Sequence, residues 1–247
     1  MRPAADVSDR RGSDEETLRE AVELVEWLER RDAVARLIGG AGIVLHCDSL
    51  GGSPHRPLAD IDLIAPREAG PRLAAAMEER GYEAAARFNA MHGHARMMFA
   101  GPAGKVDVFI DEFSMCHRLD LRSRLELDRP TLTATDLLLT KLQIVELNEK
   151  DAADIAVLLR DHELGEGDGD LIDVAYVCSL VRDDWGLWRT VTGTLVKVGD
   201  AEPELAAKVD ELRTRIDAVE KTRRFRIRAR IGERRRWYEL PEDTPGW

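Results

Sequence analysis

Three aspartates have the residue type and spacing for metal-assisted chemistry. Asp60 and Asp62 alternate within Arg56-Pro57-Leu58-Ala59-Asp60-Ile61-Asp62-Leu63-Ile64, and Asp107 lies within Lys105-Val106-Asp107-Val108-Phe109-Ile110. Both segments read as short buried strands. Alternate strand residues share a face, so Asp60 and Asp62 point one way while Ile61 and Leu63 point the other. Val106, Val108 and Ile110 oppose Asp107 in the same manner. Unpaired buried carboxylates are costly, which calls for a cationic partner. If the two strands are neighbours, the three carboxylates converge into an oxygen-rich cluster suited to hard cations, Mg2+ above all. Two such ions, about 3.5–4 Å apart, can stabilise the attacking and leaving oxygens of a phosphoryl or nucleotidyl transfer. Upstream, Gly39-Gly40 opens an apolar run. A helix starting there would present backbone N–H groups to a phosphate. Together these features predict a site for divalent metal and a nucleoside triphosphate. The plain alternative for Asp-x-Asp is a solvated strand edge.

Several elements must position these residues. Residues 1–13 are polar and are expected to be mobile, and a helix is expected from Asp14, where Ser13-Asp14-Glu15-Glu16 resembles a capping box. A Gly-, Ser- and Pro-rich loop over 48–57 leads into a strand over 58–65. An amphipathic helix over 70–80 ends at Gly81, a plausible C-cap. Segments 95–100 and 105–111 flank Gly101-Pro102-Ala103-Gly104, the signature of a hairpin. Beyond about residue 130 the pattern is helical, beginning with one long amphipathic stretch over 134–149. The expected fold class is α+β: an α/β core with a small mixed sheet over 1–130, then a helical region over 131–247.

The chain has 247 residues and a net charge of −11, which argues against whole-molecule affinity for nucleic acid or anionic membrane. No apolar run nears the ~18 residues that span a bilayer, and no apolar signal core opens the chain, so a cytoplasmic protein without membrane contact is expected. Cys47, Cys116 and Cys178 are odd in number and far apart, which predicts neither a disulfide framework nor a metal knot. Charge is uneven: residues 146–173 hold ten acidic side chains against Lys150 and Arg160, and residues 221–236 hold nine basic ones against Glu233.

The glycine pair, the Asp-x-Asp strand and the later single-Asp strand resemble the nucleotidyltransferases of the DNA polymerase β superfamily. Gly39-Gly40 fits better than Gly51-Gly52-Ser53, which ends only seven positions before Asp60, too few for an intervening helix. The interval from Gly39-Gly40, and the Arg-x-x-x-Asp-x-Asp form from Arg56 to Asp62, are similar to the minimal, abortive-infection (AbiEii-like) toxin branch. So are Leu138-Leu139-Thr140-Lys141-Leu142-Gln143 and Glu149-Lys150-Asp151-Ala152-Ala153-Asp154-Ile155. The resemblance covers roughly residues 34–160. It implies that Asp60 and Asp62 bind two Mg2+ ions, with Asp107 on the catalytic one. It also implies that Gly39 and Gly40 cradle the triphosphate, that Lys141 contacts phosphate, and that Asp154 acts as a base. The implied reaction moves an NMP from an NTP to an acceptor hydroxyl, of RNA such as tRNA, of a protein or of a small molecule, and releases pyrophosphate. The branch further implies an antitoxin partner. The family often places Ser or Thr after the glycine pair, whereas this chain has Ala41. The alternative is therefore a catalytically silent nucleotide-binding, or RNA-binding, module of the same fold.

Other residues have weaker claims. Arg56 could neutralise phosphate or brace the carboxylates, or be a plain surface arginine. For Lys141 the bland role is snorkelling at the core edge, and for Asp151 it is helix N-capping. His92 and His94 alternate as in a zinc strand but lack a third ligand nearby. Trp185 and Trp188 are expected to anchor a helical core. The arginines of 221–236, with Phe225, Trp237 and Tyr238 interleaved, suit nucleic acid, or else pair with the acidic 146–173 region.

Overall fold

The computed structural model describes residues 7–52, 57–102, 104–167 and 169–240. The chain is α+β, with a five-stranded mixed sheet and ten α-helices among the described residues. It divides into two compact units. The first comprises Met1–Phe113 and Asp120–Thr133; the second comprises Ser114–Leu119 and Ala134–Trp247. Sequence alone places the break at 130/131 and does not anticipate that Ser114–Leu119 joins the second unit.

In the first unit the order is α1 (Val7–Glu29), β1 (Arg36–Ile38), α2 (Gly39–His46), β2 (Asp60–Ala65), α3 (Gly70–Glu79), β3 (Glu83–Ala84), α4 (Ala86–His92), β4 (Arg96–Gly101) and β5 (Gly104–Ile110). The sheet runs β1-β2-β5-β4-β3. Only β2 and β5 are parallel; the other pairs are antiparallel. A parallel neighbour needs a long crossover, and the segment from α3 to β4 provides it.

Alternation gives the sheet two unlike faces. Leu37, Ile61, Leu63, Val106, Val108 and Phe99 join one hydrophobic cluster with Leu24, Val25 and Leu28 of α1 and Leu73 and Met77 of α3. Burial of these side chains, at about 25 cal/mol per Å2 of apolar surface, fixes the register, because a one-residue slip would exchange the faces. The opposite face carries Asp60 and Asp62 on β2 and Asp107 on β5.

Two expectations change at the helix ends. Helix α1 begins at Val7, so residues 7–13 are helical, and Ser13-Asp14-Glu15-Glu16 lies inside the helix rather than capping it. Asp14 instead accepts the Leu58 N–H at 3.0 Å. Gly81 does cap α3. At φ +90 it donates to the Glu78 carbonyl, while Tyr82 N–H reaches the Met77 carbonyl at 2.9 Å, a Schellman motif.

The second unit contains α5 (Ala134–Leu142), α6 (Glu149–Asp161), α7 (Val174–Val181), α8 (Trp185–Ala201), α9 (Ala206–Ala218) and α10 (Arg223–Ile231). The helix expected over 134–149 ends at Leu142, and Asn148 starts the next one. Its side chain accepts the Asp151 N–H at 2.9 Å and donates to the Asp151 carboxylate at 2.7 Å. Asn148, and not Asp151, is thus the N-cap of α6. The stretch expected to be helical from 202 to 227 is likewise interrupted at Val219–Thr222, where Thr222 caps α10 by accepting from Phe225 N–H. Among the described residues, no helix is long and apolar enough to cross a membrane.

Candidate functional site

The carboxylates of the first unit converge. In the parallel register Asp62 lies opposite Asp107, and Asp60 lies opposite Lys105. Register partners share a face, so all three aspartates project to the same side of the sheet. Asp60 and Asp62 are half-buried and Asp107 is 6% exposed. One Asp107 oxygen, Oδ2, accepts from Arg96 Nη2 at 2.7 Å. The other, Oδ1, is buried with no hydrogen-bond partner among the described residues. Leaving such an acceptor unmet costs about 1–3 kcal/mol, more for a charged group. An oxygen of this kind is what a cation ligand looks like in the absence of the cation.

The glycine pair meets the same carboxylates. Ile38 at the end of β1 pairs with Asp62, so the next residue, Gly39, starts α2 beside the Asp62 side chain. Gly39 has φ +62, and a Cβ there would lie 2.3 Å from Asp62 Oδ2. Only glycine permits this approach. No side chain caps the start of α2, so its first N–H groups and the positive end of its dipole face an anion-binding position. Ala41 is 1% exposed and packs in the hydrophobic cluster. A hydroxyl would gain nothing at that apolar position, so the polar groups offered at this helix start are its backbone N–H groups.

Two cationic side chains on this face were not singled out from sequence. Arg96 lies opposite Phe109 in the β4–β5 register, and Met98 lies opposite Asp107. Arg96 is therefore on the aspartate face; its guanidinium carbon also sits 5.1 Å from the centre of the Phe109 ring. Lys105, opposite Asp60, is exposed. The hairpin turn held the signal. Once Gly101 pairs with Gly104, counting back along both strands puts Arg96 on the same face as Asp107.

Arg56 falls outside the described residues. Lys141 and Asp154 belong to the second unit, where Lys141 Nζ meets Asp151 Oδ1 at 2.7 Å and Asp154 Oδ2 at 2.8 Å. Asp154 is fully buried and the Lys141 side chain is 12% exposed. Burial opposes the lysine's charge, but Asp154 and Asp151 outweigh it and raise its pKa above the ordinary 10.5. Lys141 is thus a paired lysine rather than a snorkelling one. His92 and His94 do not lie on a strand: His92 ends α4, where it stacks on Phe88 at 4.8 Å, and neither joins a metal-binding cluster among the described residues.

The first unit therefore presents three carboxylates, a glycine-opened helix start and two cations on one sheet face. That donor set, with one buried oxygen unmet, fits a divalent ion chelated by Asp60, Asp62 and Asp107.

No family model and no curated protein matches the chain. Among solved structures it is similar to an antigenic nucleotidyltransferase-like protein from Paracoccidioides brasiliensis, at 14% identity and a TM-score of 0.45, over 84% of this chain and 94% of that one. It is also similar to the antibiotic-resistance factor ANT(2'')-Ia, at 13% identity and a TM-score of 0.41, over 60% of this chain and 84% of that one.

Proposed function

We propose that the first unit is the catalytic core of a nucleotidyltransferase that moves a nucleoside monophosphate from an NTP to an acceptor hydroxyl. The reading is carried by the parallel pairing of Asp62 with Asp107, with the Asp107 Oδ1 atom buried and unmet. Asp60, Asp62 and Asp107 would hold Mg2+. When bound, the metal supplies Lewis-acid polarisation of the phosphate oxygens and offsets the charge of the three carboxylates. The start of α2 binds the triphosphate through backbone N–H groups and its dipole, with Gly39 allowing the approach to Asp62. Arg96 holds one oxygen of Asp107 and so orients the other. The acceptor oxygen bonds to the α-phosphorus as the bridge to the β-phosphate breaks, and pyrophosphate leaves with the bond's electrons. Asp107 would assist deprotonation of the acceptor. Catalysis on this account is mostly positioning and charge stabilisation.

The acceptor hydroxyl belongs to RNA, a protein or a small molecule. Incubation with α-labelled NTPs, Mg2+ and each acceptor class should give labelled acceptor and pyrophosphate, reduced at least ~100-fold by Asp62→Asn. Absence of transfer to every acceptor class would refute the proposal. A second reading, a silent nucleotide-binding module, is favoured by one observation: Arg96 already neutralises part of the Asp107 charge. It predicts Mg2+–NTP binding without transfer to any acceptor.

A further inference from the structure

The basic segment of the second unit is not absorbed by the chemistry above. If its arginines paired with the acidic 146–173 region, the segment would be an ordinary solvated helix. The ion pairs run otherwise: Glu163 meets Lys208 and Glu166 meets Arg215. Arg223, Arg224, Arg226 and Arg230 of α10 are exposed and have no ion pair among the described residues.

Of these, Arg223 and Arg224 line a concavity. A cavity of about 670 Å3 is lined by Trp185, Trp237, Ile227, Ile231 and arginines of α10 among others. Ile227 and Ile231 are 52% and 41% exposed, unusual for isoleucine on a helix that also buries Phe225 at 7%. At 3.6 residues per turn, Arg223, Ile227 and Ile231 form one stripe, with Arg226 and Arg230 alongside it. The aromatic wall is preorganised. Trp237 donates to the Thr190 hydroxyl at 3.2 Å and packs edge-on to Trp185 with centroids 5.9 Å apart. Arg228 is fixed over Trp185 by its bonds to the Gly232 and Arg235 carbonyls. Asp183 and Asp184 on the rim oppose an anion, but Asp184 is engaged as the N-cap of α8.

We propose that this cavity and the exposed stripe of α10 bind single-stranded nucleic acid, with a base against the aromatic wall and the backbone along the arginines. The half-buried Trp237 on the cavity wall offers a base an aromatic contact, and the unpaired guanidiniums beside it accept phosphates. From Arg223 to Arg230 the helix rises ~10 Å, more than one phosphate spans, which favours a strand over a mononucleotide. A bilayer fits less well, because two exposed isoleucines on a nine-residue helix offer little apolar area and the aromatic wall is concave. The site stands on the second unit alone and does not depend on the nucleotidyltransferase reading.

Fluorescence anisotropy of a labelled single-stranded RNA oligonucleotide with the full chain, in EDTA and without NTP, tests this. Binding should weaken with salt at a slope of about −2 to −3 in log K against log salt, as for three or four released counterions. The double variant Arg223→Glu/Arg224→Glu, at exposed positions on the cavity wall, should weaken binding ~10-fold or more and flatten that slope. Ile227→Ser should weaken binding without changing the slope. Asp62→Asn should bind as the parent does, which separates this proposal from the catalytic one. Salt-independent binding, binding unchanged by the arginine reversals, or tighter capture by anionic vesicles that RNA does not displace would overturn it.

Discussion

Gly39→Ala isolates the contact between the helix start and the metal-facing carboxylate. The added Cβ would lie 2.3 Å from Asp62 Oδ2, 3.1 Å from its Cγ and 3.2 Å from its Cβ. Swinging the carboxylate away relieves the first contact, but the last is set by backbone, so β1, β2 or the start of α2 must also shift. The backbone term is separable. Alanine at φ +62 costs about 1–2 kcal/mol. For a chain of this size that is a Tm loss of about 2–8 °C. Gly81→Ala provides the control. Gly81 has φ +90, but a Cβ there meets nothing within 4 Å. It should therefore carry a comparable strain penalty without touching a carboxylate. Thermal melts would compare the two variants, and Mn2+ titration followed by electron paramagnetic resonance, with and without NTP, would report on the site independently of turnover. Both variants should melt lower than the parent. Only Gly39→Ala should weaken Mn2+ binding, by ~10-fold or more, equivalent to about 1.4 kcal/mol. Equal Mn2+ affinity in Gly39→Ala and the parent would refute the idea that this glycine exists to bring α2 onto Asp62.

Two further outcomes follow from buried groups of the second unit. Lys141→Met leaves Asp154, which is 0% exposed, without its cation and should cost about 3–5 kcal/mol in urea unfolding. A cost below 1 kcal/mol would show that the pair is only marginal. His117 is pushed below its ordinary value of 6.5, chiefly by burial, and its ring bonds to the Thr190 hydroxyl at 2.8 Å. A depressed imidazole contributes stability that is complete above 6.5 and is lost as pH falls through the lowered value. The Tm of the parent should therefore decline as pH falls below 6.5, and His117→Asn should flatten that decline; parallel curves would contradict it.

Local pattern was enough to find the chemistry-bearing strands. Alternation of apolar and acidic residues identified β2 and β5 and put Asp60 and Asp62 on one face, because side-chain direction in a strand depends only on parity. The Gly81 cap and the hairpin at Gly101–Gly104 were legible for the same reason: each is decided by backbone conformations within a few residues. The end of α5 at Leu142 and the break at Val219–Thr222 were missed, because a helical apolar period continues through both.

Which groups meet was a different matter. That β2 lies beside β5, and that Asp62 falls opposite Asp107, depends on a parallel pairing across a long crossover, and no local residue encodes it. The capture of one Asp107 oxygen by Arg96, and the pairing of Lys141 with Asp154 and Asp151, likewise arise only when distant segments pack. Residue type and parity belong to the chain itself and determined what could be offered to a metal or a phosphate. Proximity is a property of the packed core, and it decided which of those offers stand side by side.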